Sequence, residues 1–432
     1  MMILIYFWTS GGPFGVEPAV EAGGFALTAI AILVILTFWA LPQALMSAEL
    51  SLMMNANGGN ILWAQYAFGD FGGFVNAGCF LLACLASQGM TIASFVQYLE
   101  QSLPLSDAVS WSVRILFVLL CVLLNIWGID YLSRVSWVLL AFIFSPFLAM
   151  NFTMATLHPR PVVSFSNLLH IPDLSSVNFG LLSSTVVWGL GGYDFAGSVA
   201  GEIKGGSSAF IKGIVGTFPM NTINYLYPLF LIYIVDGVDA DWDTGYFTKF
   251  VSQHYPVWLS SWMIASAVVS CFGTLASTIA QLSWTVWTMG KGRKDEIAQH
   301  RYLPYFVSWS WSRNVSGVVT VRPLMAILLI GGILIGLSAL DYDYLSQVFL
   351  ILRSANVYFE YGSLIMLRWR EPDRIRPFEV PGGMLGCIAL LLPTLFISIA
   401  SFYFASKNSL ITGAACLGVV VICYPLKKLW IY

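Results

Sequence analysis

Asp194 is the residue that most needs explaining in this chain of 432 residues. It follows Trp188-Gly189-Leu190-Gly191-Gly192-Tyr193 inside a run otherwise apolar enough to span a membrane. A charge at mid-membrane costs about 2.5–3.5 kcal/mol on insertion scales. An acid placed there serves as counter-charge for an amine, as a proton carrier, or as an N-terminal cap on the half-helix that follows. A second anomalous stretch lies near the N-terminus: Trp8-Thr9-Ser10-Gly11-Gly12-Pro13-Phe14-Gly15-Val16-Glu17. In hydrocarbon every backbone N–H and C=O must find a partner, so a broken helix persists only where it is buried in protein or lines a cavity. Gly11 and Gly12 permit an unwound backbone, and Pro13 is suited to restart a helix at its first position. The N–H groups of Phe14, Gly15 and Val16 then face the gap with the positive end of the dipole, a ready site for a carboxylate. The carbonyls of Trp8 to Ser10 end the preceding half-helix and suit a cation. A break of this kind can grip both ends of a zwitterion. The competing reading of both stretches is glycines that let helices cross closely.

Other side chains could join such a site. Trp8, Phe14, Trp188 and Tyr193 could wall it, since aromatic faces tolerate a cation, although packing or lipid contact is the alternative for each. Glu17 lies one turn beyond Pro13, facing an outer vestibule or bonding its own helix. Arg353 and Glu360, seven residues apart, share a helix face; they form a structural ion pair, or Glu360 is a coupling or gating acid. Thr274, Ser277 and Thr278 offer hydroxyls to a coupling sodium ion, against the commoner bond back to the helix. Gln88 is placed to reach the same pocket. Catalysis finds no footing: His158, His170, His254 and His300 fall in or beside loops, and no metal cluster, phosphate loop or nucleophile–base pair is present. An integral membrane enzyme is therefore the weaker alternative, and no cofactor is expected beyond a proton or sodium ion.

The elements that would hold these residues are membrane helices. The chain is 58% hydrophobic and 10% charged, with a mean hydropathy of +0.78. A net charge of −2 with no basic run excludes nucleic acid as a partner and leaves lipid as the surrounding medium. The 7 Cys all fall in apolar segments, as small residues in helix packing. The N-terminus lacks a basic region and runs straight into the first span, which is expected to be retained. At about 20 apolar residues per span, about twelve spans are expected. They cover residues 2–22, 25–54, 72–98, 111–126, 133–154, 179–202, 210–234, 258–289, 323–340, 344–368, 384–404 and 409–426. The first and sixth carry the two breaks. With both termini cytoplasmic, most of the 20 Lys and Arg lie inside, including Arg301, Arg313, Arg322, Arg368, Arg370, Arg374 and Arg376. Asp236, Asp239, Asp241 and Asp243 cluster outside. Two breaks separated by five spans imply an inverted five-plus-five repeat with spans one and six paired across a pseudo-two-fold axis. That makes a single domain over 1–432, with a core over 1–370 and an inner loop and two extra helices over 371–432.

Ser10-Gly11-Gly12-Pro13-Phe14-Gly15-Val16-Glu17 resembles the first-span motif of the amino acid–polyamine–organocation transporters, in particular the polyamine-uptake branch and its L-type amino acid relatives. Pro42-Gln43-Ala44-Leu45, Ala48-Glu49-Leu50, Asn57-Gly58-Gly59, Tyr193-Asp194, Ala200-Gly201-Glu202-Ile203-Lys204, Leu303-Pro304 and Glu360 continue the resemblance. So do Arg368, Pro372-Asp373, Arg376-Pro377-Phe378 and Val380-Pro381, so that it covers nearly the whole chain. It implies a LeuT-like fold, alternating access by an ion-coupled permease or symporter of the plasma membrane, and amino acids or polyamines as cargo. A sensor that binds without transporting is the alternative. By position it makes Ser10, Gly11, Gly12, Phe14, Gly15, Trp188, Gly191, Tyr193 and Asp194 the substrate contacts. Glu17, Gln88, Ser277, Thr278 and Glu360 are the coupling or gating candidates. Glu49, Glu202 and Lys204 become inner-end structural or gating positions. The chain departs from the polyamine branch where uncharged Ser87-Gln88 and Ala276-Ser277-Thr278 stand in the third and eighth spans. A polyamine calls for several spaced carboxylates. The fifth span also lacks the Lys of some proton-coupled relatives.

Overall fold

Among its described residues the computed structural model is mainly helical along the apolar runs, as the need to pair backbone groups in hydrocarbon requires. It describes residues 6, 9–54, 59–101, 103, 105–127, 130–157, 168–195, 206–236, 241–291, 301–315 and 318–427. Trp8, Asn57, Gly58, His158, the second half of the expected sixth span with Gly201, Glu202 and Lys204, Asp239 and His300 lie outside the described residues. In chain order the helices are α1 (Glu17–Ile35), α2 (Leu41–Met54), α3 (Gly59–Glu100), α4 (Asp107–Trp127) and α5 (Asp130–Leu157). They continue as α6 (Phe179–Leu190), α7 (Gly206–Asp236), α8 (Tyr246–His254) and α9 (Val257–Lys291). The last four are α10 (Leu324–Leu337), α11 (Tyr342–Arg370), α12 (Gly383–Phe404) and α13 (Lys407–Leu426). Seven helical stretches among the described residues are long and apolar enough to cross a membrane. Residues 137–153 of α5 and α10 are shorter apolar helices. The helix α11 is long enough but carries Arg353 and Glu360 in its buried middle.

Glycines mark the joints. Gly24 (φ 72°) interrupts α1, separating the end of the first expected span from the start of the second. The carbonyls this interruption strands are recovered locally: Thr28 Oγ1 donates to Ala19 O and Gly24 O (2.8 Å each), and Asn178 N–H donates to Ala22 O (2.9 Å). Gly69 (φ 73°) likewise divides α3 into Gly59–Phe68 and the long arm Asp70–Glu100. Pro42 has no N–H and crowds the carbonyl four residues back, and the wide π-turn Leu36–Ala40 just before it accommodates both. The arm of α3 lies along α11, and α11 also packs on α6, α12 and α13. The helix α6 pairs with α1, and α9 closes on α3, α4 and α5. Large apolar side chains on α4, α12 and α13 point outward, among them Leu116, Leu120, Phe396, Ile399 and Ile422.

Two features depart from an all-helical architecture with plain loops. Strands β1 (Trp311–Val315) and β2 (Val318–Arg322) form an antiparallel hairpin with Val315 opposite Val318. The run Val318-Val319-Thr320-Val321, rich in β-branched residues, is the signal for it. The short amphipathic helix α8 lies in the stretch expected as an acidic outer loop, with Tyr246, Phe247, Phe250 and Val251 buried on its inner face.

Candidate functional site

The first break is built as its composition requires. Tyr6 and Thr9 are helical, residues 10–15 are not, and Gly11 (φ 71°) and Gly15 (φ 89°) take left-handed conformations that favour glycine. Side chains crowd the unwound backbone: a Cβ on Gly11 would collide with Thr274 Oγ1, one on Gly12 with Ser270 Oγ, and one on Gly15 would stand 2.6 Å from Trp188 Cζ3. Three of the unwound carbonyls are taken up by side chains from other helices. Ser270 O–H donates to Gly11 O (2.9 Å), Asn224 Nδ2–H to Gly12 O (2.9 Å), and Tyr342 O–H to Gly15 O (2.9 Å). Glu17, expected at an outer vestibule or on its own helix, is wholly buried at this break. Gly15 N–H donates to Glu17 Oε2 (2.7 Å) and to Tyr98 Oη (2.6 Å), while Tyr98 O–H donates to Glu17 Oε1 (2.7 Å). The chain's own carboxylate therefore occupies the N–H expected to receive one from a ligand.

The second break follows α6. Gly191 is extended and Gly192 has φ 92°, and residues 193–195 make one tight turn that brings Asp194 inward. The two breaks are joined by a polar stripe on α7. Asn224 accepts from Tyr6 O–H (2.7 Å) and donates to Ser10 Oγ (2.7 Å). Asn221 Nδ2–H bonds both Thr9 Oγ1 (3.1 Å) and Tyr193 Oη (3.0 Å). Tyr225 O–H donates to Gly189 O (2.7 Å), and its oxygen accepts from Ser10 O–H (2.9 Å). The sequence reading passed over this stripe. Two Asn at i and i+3 in an apolar helix were the signal, because amides there need partners.

At the centre, Asp194 is the closer carboxylate partner of Arg353. Arg353 Nη1 donates to Asp194 Oδ2 (3.1 Å) and its Nη2 to Asp194 Oδ1, a bidentate fork between side chains that are 2% and 0% exposed. Nη1 also bonds Asn356 Oδ1, and Nη2 reaches Gln43 Oε1 (3.3 Å). Asn356 Nδ2–H continues to Asn76 Oδ1 (2.8 Å), and Asn76 to the Asn60 carbonyl (2.9 Å). Glu360, on the same face of α11, stands 3.9 Å from Arg353 Nη1, and among the described residues no group lies within good hydrogen-bond geometry of its oxygens. The expected Arg353–Glu360 pair is thus the longer side of a three-residue centre that includes Asp194.

Two small cavities flank Trp188. One of about 50 Å³ is lined by Phe80, Cys84, Gln88, Gly191, Gly192, Phe195, Thr278 and Arg353 among others, and one of about 30 Å³ by Ser10, Phe14, Tyr98, Ser270 and Thr274 among others. Trp188 lines both, and its Nε1–H donates to Ser87 Oγ (2.8 Å). Of the sequence-derived candidates, Ser10, Phe14, Trp188, Gly191, Gln88 and Thr278 line a cavity, while Gly11, Gly12 and Gly15 shape the backbone beside one. Tyr193 is buried against Phe218, 4.9 Å between ring centres, and lines neither. Ser277 bonds back to Thr274 O (3.0 Å) and also lines neither. Asp194 and Glu360 sit near the larger cavity without lining it.

One end of the bundle is clamped by charge. Arg368 Nε and Nη2 donate to the buried Glu49 carboxylate (2.6 and 2.7 Å), which also accepts Val380 N–H (2.7 Å) and has Arg376 Nε at 3.3 Å. Nearby, Tyr66 O–H donates to Glu371 (2.6 Å), which Arg374 pairs at 2.7 Å.

A family model described as amino acid permease matches residues 3–422. Polyamine transporter PUT1 of Oryza sativa subsp. japonica is 27% identical over 440 residues, covering 100% of this chain and 79% of that protein. A probable polyamine transporter of Arabidopsis thaliana is 29% identical over 419 residues, 96% of this chain and 83% of that protein. Polyamine transporter RMV1 of Arabidopsis thaliana is 26% identical over 436 residues, 99% and 84% respectively.

Proposed function

The chain belongs to the amino acid permease family, and from that premise we propose that it moves small amine-bearing solutes, amino acids or polyamines, across a membrane by alternating access. The observation that carries this reading is the pairing of two helix breaks through one polar stripe, with a cavity on either side of Trp188. Unwound backbone at membrane depth lines a pathway in transporters built of inverted repeats. The first ten spans, residues 1–370, form such a LeuT-like repeat, and residues 371–432 are an appendix to it. Ser10 to Gly15 and Trp188 to Asp194 face the cargo path. The Glu49–Arg368 clamp lies at the cytoplasmic end, with both termini on that side, in the plasma membrane. The names of the similar plant proteins support an amine-bearing cargo.

Cavities of about 50 and 30 Å³ hold a few waters, whereas small-molecule sites usually measure about 300–1,000 Å³. This conformation is therefore closed around a site that must widen before cargo enters. A proton or sodium gradient supplies the driving force, with Glu360 and the α9 hydroxyl of Thr278 as coupling groups. The test is uptake of labelled arginine, leucine and putrescine by the reconstituted full chain, with a proton or a sodium gradient imposed. Gradient-dependent accumulation of at least one is expected. Binding of a solute without uptake would replace the transporter by a sensor, and neither binding nor uptake would overturn the reading.

A further inference from the structure

We propose that Lys427 is a latch that holds α3 and α9 together at one end of the bundle and must let go for the cavities between them to widen. This goes beyond the transporter reading, although the part the latch plays in uptake rests on it. Both cavities are lined by the same two helices. The arm of α3 contributes Gln88 to the larger and Tyr98 to the smaller, and α9 contributes Thr278 and Thr274 in turn. At one end the two helices are joined through a third. Asp70 and Phe74 open the arm of α3. Tyr302 belongs to the segment after α9 and is fastened to that helix by its N–H, which donates to Met289 O (2.8 Å). Lys427 follows the last turn of α13 and is 6% exposed. Its ammonium group pairs with Asp70 Oδ2, with the ring centres of Tyr424, Tyr302 and Phe74 at 4.5, 5.3 and 6.0 Å. An ammonium ion enclosed by aromatic faces and a carboxylate is held better than one paired on an open surface.

Two features favour opening. Asp70 Oδ1 and Tyr302 Oη are buried and have no hydrogen-bond partner among the described residues. The closed latch therefore leaves two polar atoms unbonded that solvent reaches on release. Gly69 (φ 73°), next to Asp70, has nothing within 4 Å of where a Cβ would stand. The piece of α3 before it is anchored separately, by Arg370 Nη1–H to Ala67 O (2.8 Å) and by Tyr66 O–H to Glu371 (2.6 Å). The arm can swing about Gly69 away from Tyr302 while that piece keeps its place.

The experiment reads hydrogen exchange and uptake in the reconstituted full chain. Lys427→Met keeps a stem against the rings and loses the charge, so exchange at residues 70–74 and 301–304 should rise about tenfold. Asp70→Asn should do the same and serves if Lys427→Met fails to fold. Unchanged exchange at both segments would overturn the latch. Opening during transport is read in Phe74→Cys/Tyr302→Cys, which replaces two rings 5.6 Å apart and keeps Lys427 and Asp70. Joining the two thiols with a short, reducible bis-methanethiosulfonate should cut uptake of labelled arginine, leucine or putrescine on the order of tenfold, and reductant should restore it. Either single-Cys variant treated alike should keep its uptake. Uptake as fast with the bridge as before it would mean a fixed staple and would overturn the proposal. Uptake by no version, wild type included, would instead remove the transporter reading, and exchange alone would then decide the latch.

Discussion

At the Arg353–Asp194–Glu360 centre the three side chains act as a unit, so changes made there do not add. Replacing Asp194 by Asn leaves a buried guanidinium whose nearest carboxylate is Glu360 at 3.9 Å. Breaking a buried pair in this way costs about 3–5 kcal/mol, whereas neutralising both partners together is often close to neutral. Asp194→Asn should therefore melt well below wild type in detergent, and Asp194→Asn/Arg353→Gln should recover much of the loss. Equal melting of wild type and the single variant would mean that the pair contributes nothing to stability. The sequence was explicit about part of this centre. An acid in mid-span demanded a partner, and the spacing of Arg353 and Glu360 put them on one face. That Arg353 turns to Asp194 across 159 residues of sequence depends on how α6 meets α11, which no local pattern encodes. Glu17 shows both cases at once, with one partner two residues away at Gly15 and the other, Tyr98, 81 residues away in sequence.

Among the elements, the broken helices were the legible ones, since glycine and proline in an apolar run have few other uses. Gly15 is required twice, by its φ of 89° and by the Trp188 ring that occupies the space of a Cβ. Gly15→Ala should cost about 1–2 kcal/mol from the left-handed backbone alone, plus the overlap with Trp188. In a Trp188→Ala background, with that single variant as the reference, Gly15→Ala should cost only the backbone part. Thermal melting of the four proteins separates the contributions, and no loss in the Trp188→Ala background would show that the backbone relaxes freely. The α7 stripe is harder to see from sequence, because α7 is apolar enough overall to read as an ordinary span. Asn224→Leu tests it: the change removes the bonds to Tyr6 O–H, Ser10 Oγ and the Gly12 carbonyl, at about 0.5–1.5 kcal/mol for each bond lost. Uptake should fall with it, whereas an active and stable Asn224→Leu protein would mean that the breaks hold their shape without α7. The hairpin β1–β2 was missed because its residues lie between spans, where hydropathy carries no information about register.

For the molecule as a whole, the order of apolar runs was readable from composition, and the pairing of α3 with α11 was not, because α11 carries its charges inward. On the proposed transport reading, cavities of about 50 and 30 Å³ require one end of the bundle to loosen for cargo to pass. At the end bearing Glu49, the segment after α11 is tied to α2 by Glu49 and to the first piece of α3 by Tyr66 and Glu371. The Tyr66 hydroxyl bonded to Glu371, aided by Arg374, holds that carboxylate below its ordinary range. A group whose pKa is lower folded than unfolded stabilises the structure above the unfolded value and loses that contribution as pH falls through the folded one. The ordinary value for Glu is about 4.3, so this tie should be indifferent to pH between neutrality and about 5. It should release only under stronger acid. Hydrogen exchange at residues 371–380, corrected for intrinsic rates, should accordingly stay flat across the physiological range and rise below the ordinary Glu value. Tyr66→Phe removes the largest cause of the shift and should move that onset upward. An onset in wild type already at or above the ordinary value would mean that the Tyr66–Glu371 bond does not hold the segment. In that case any pH response of transport would have to arise among the buried acids of the pathway rather than at this end.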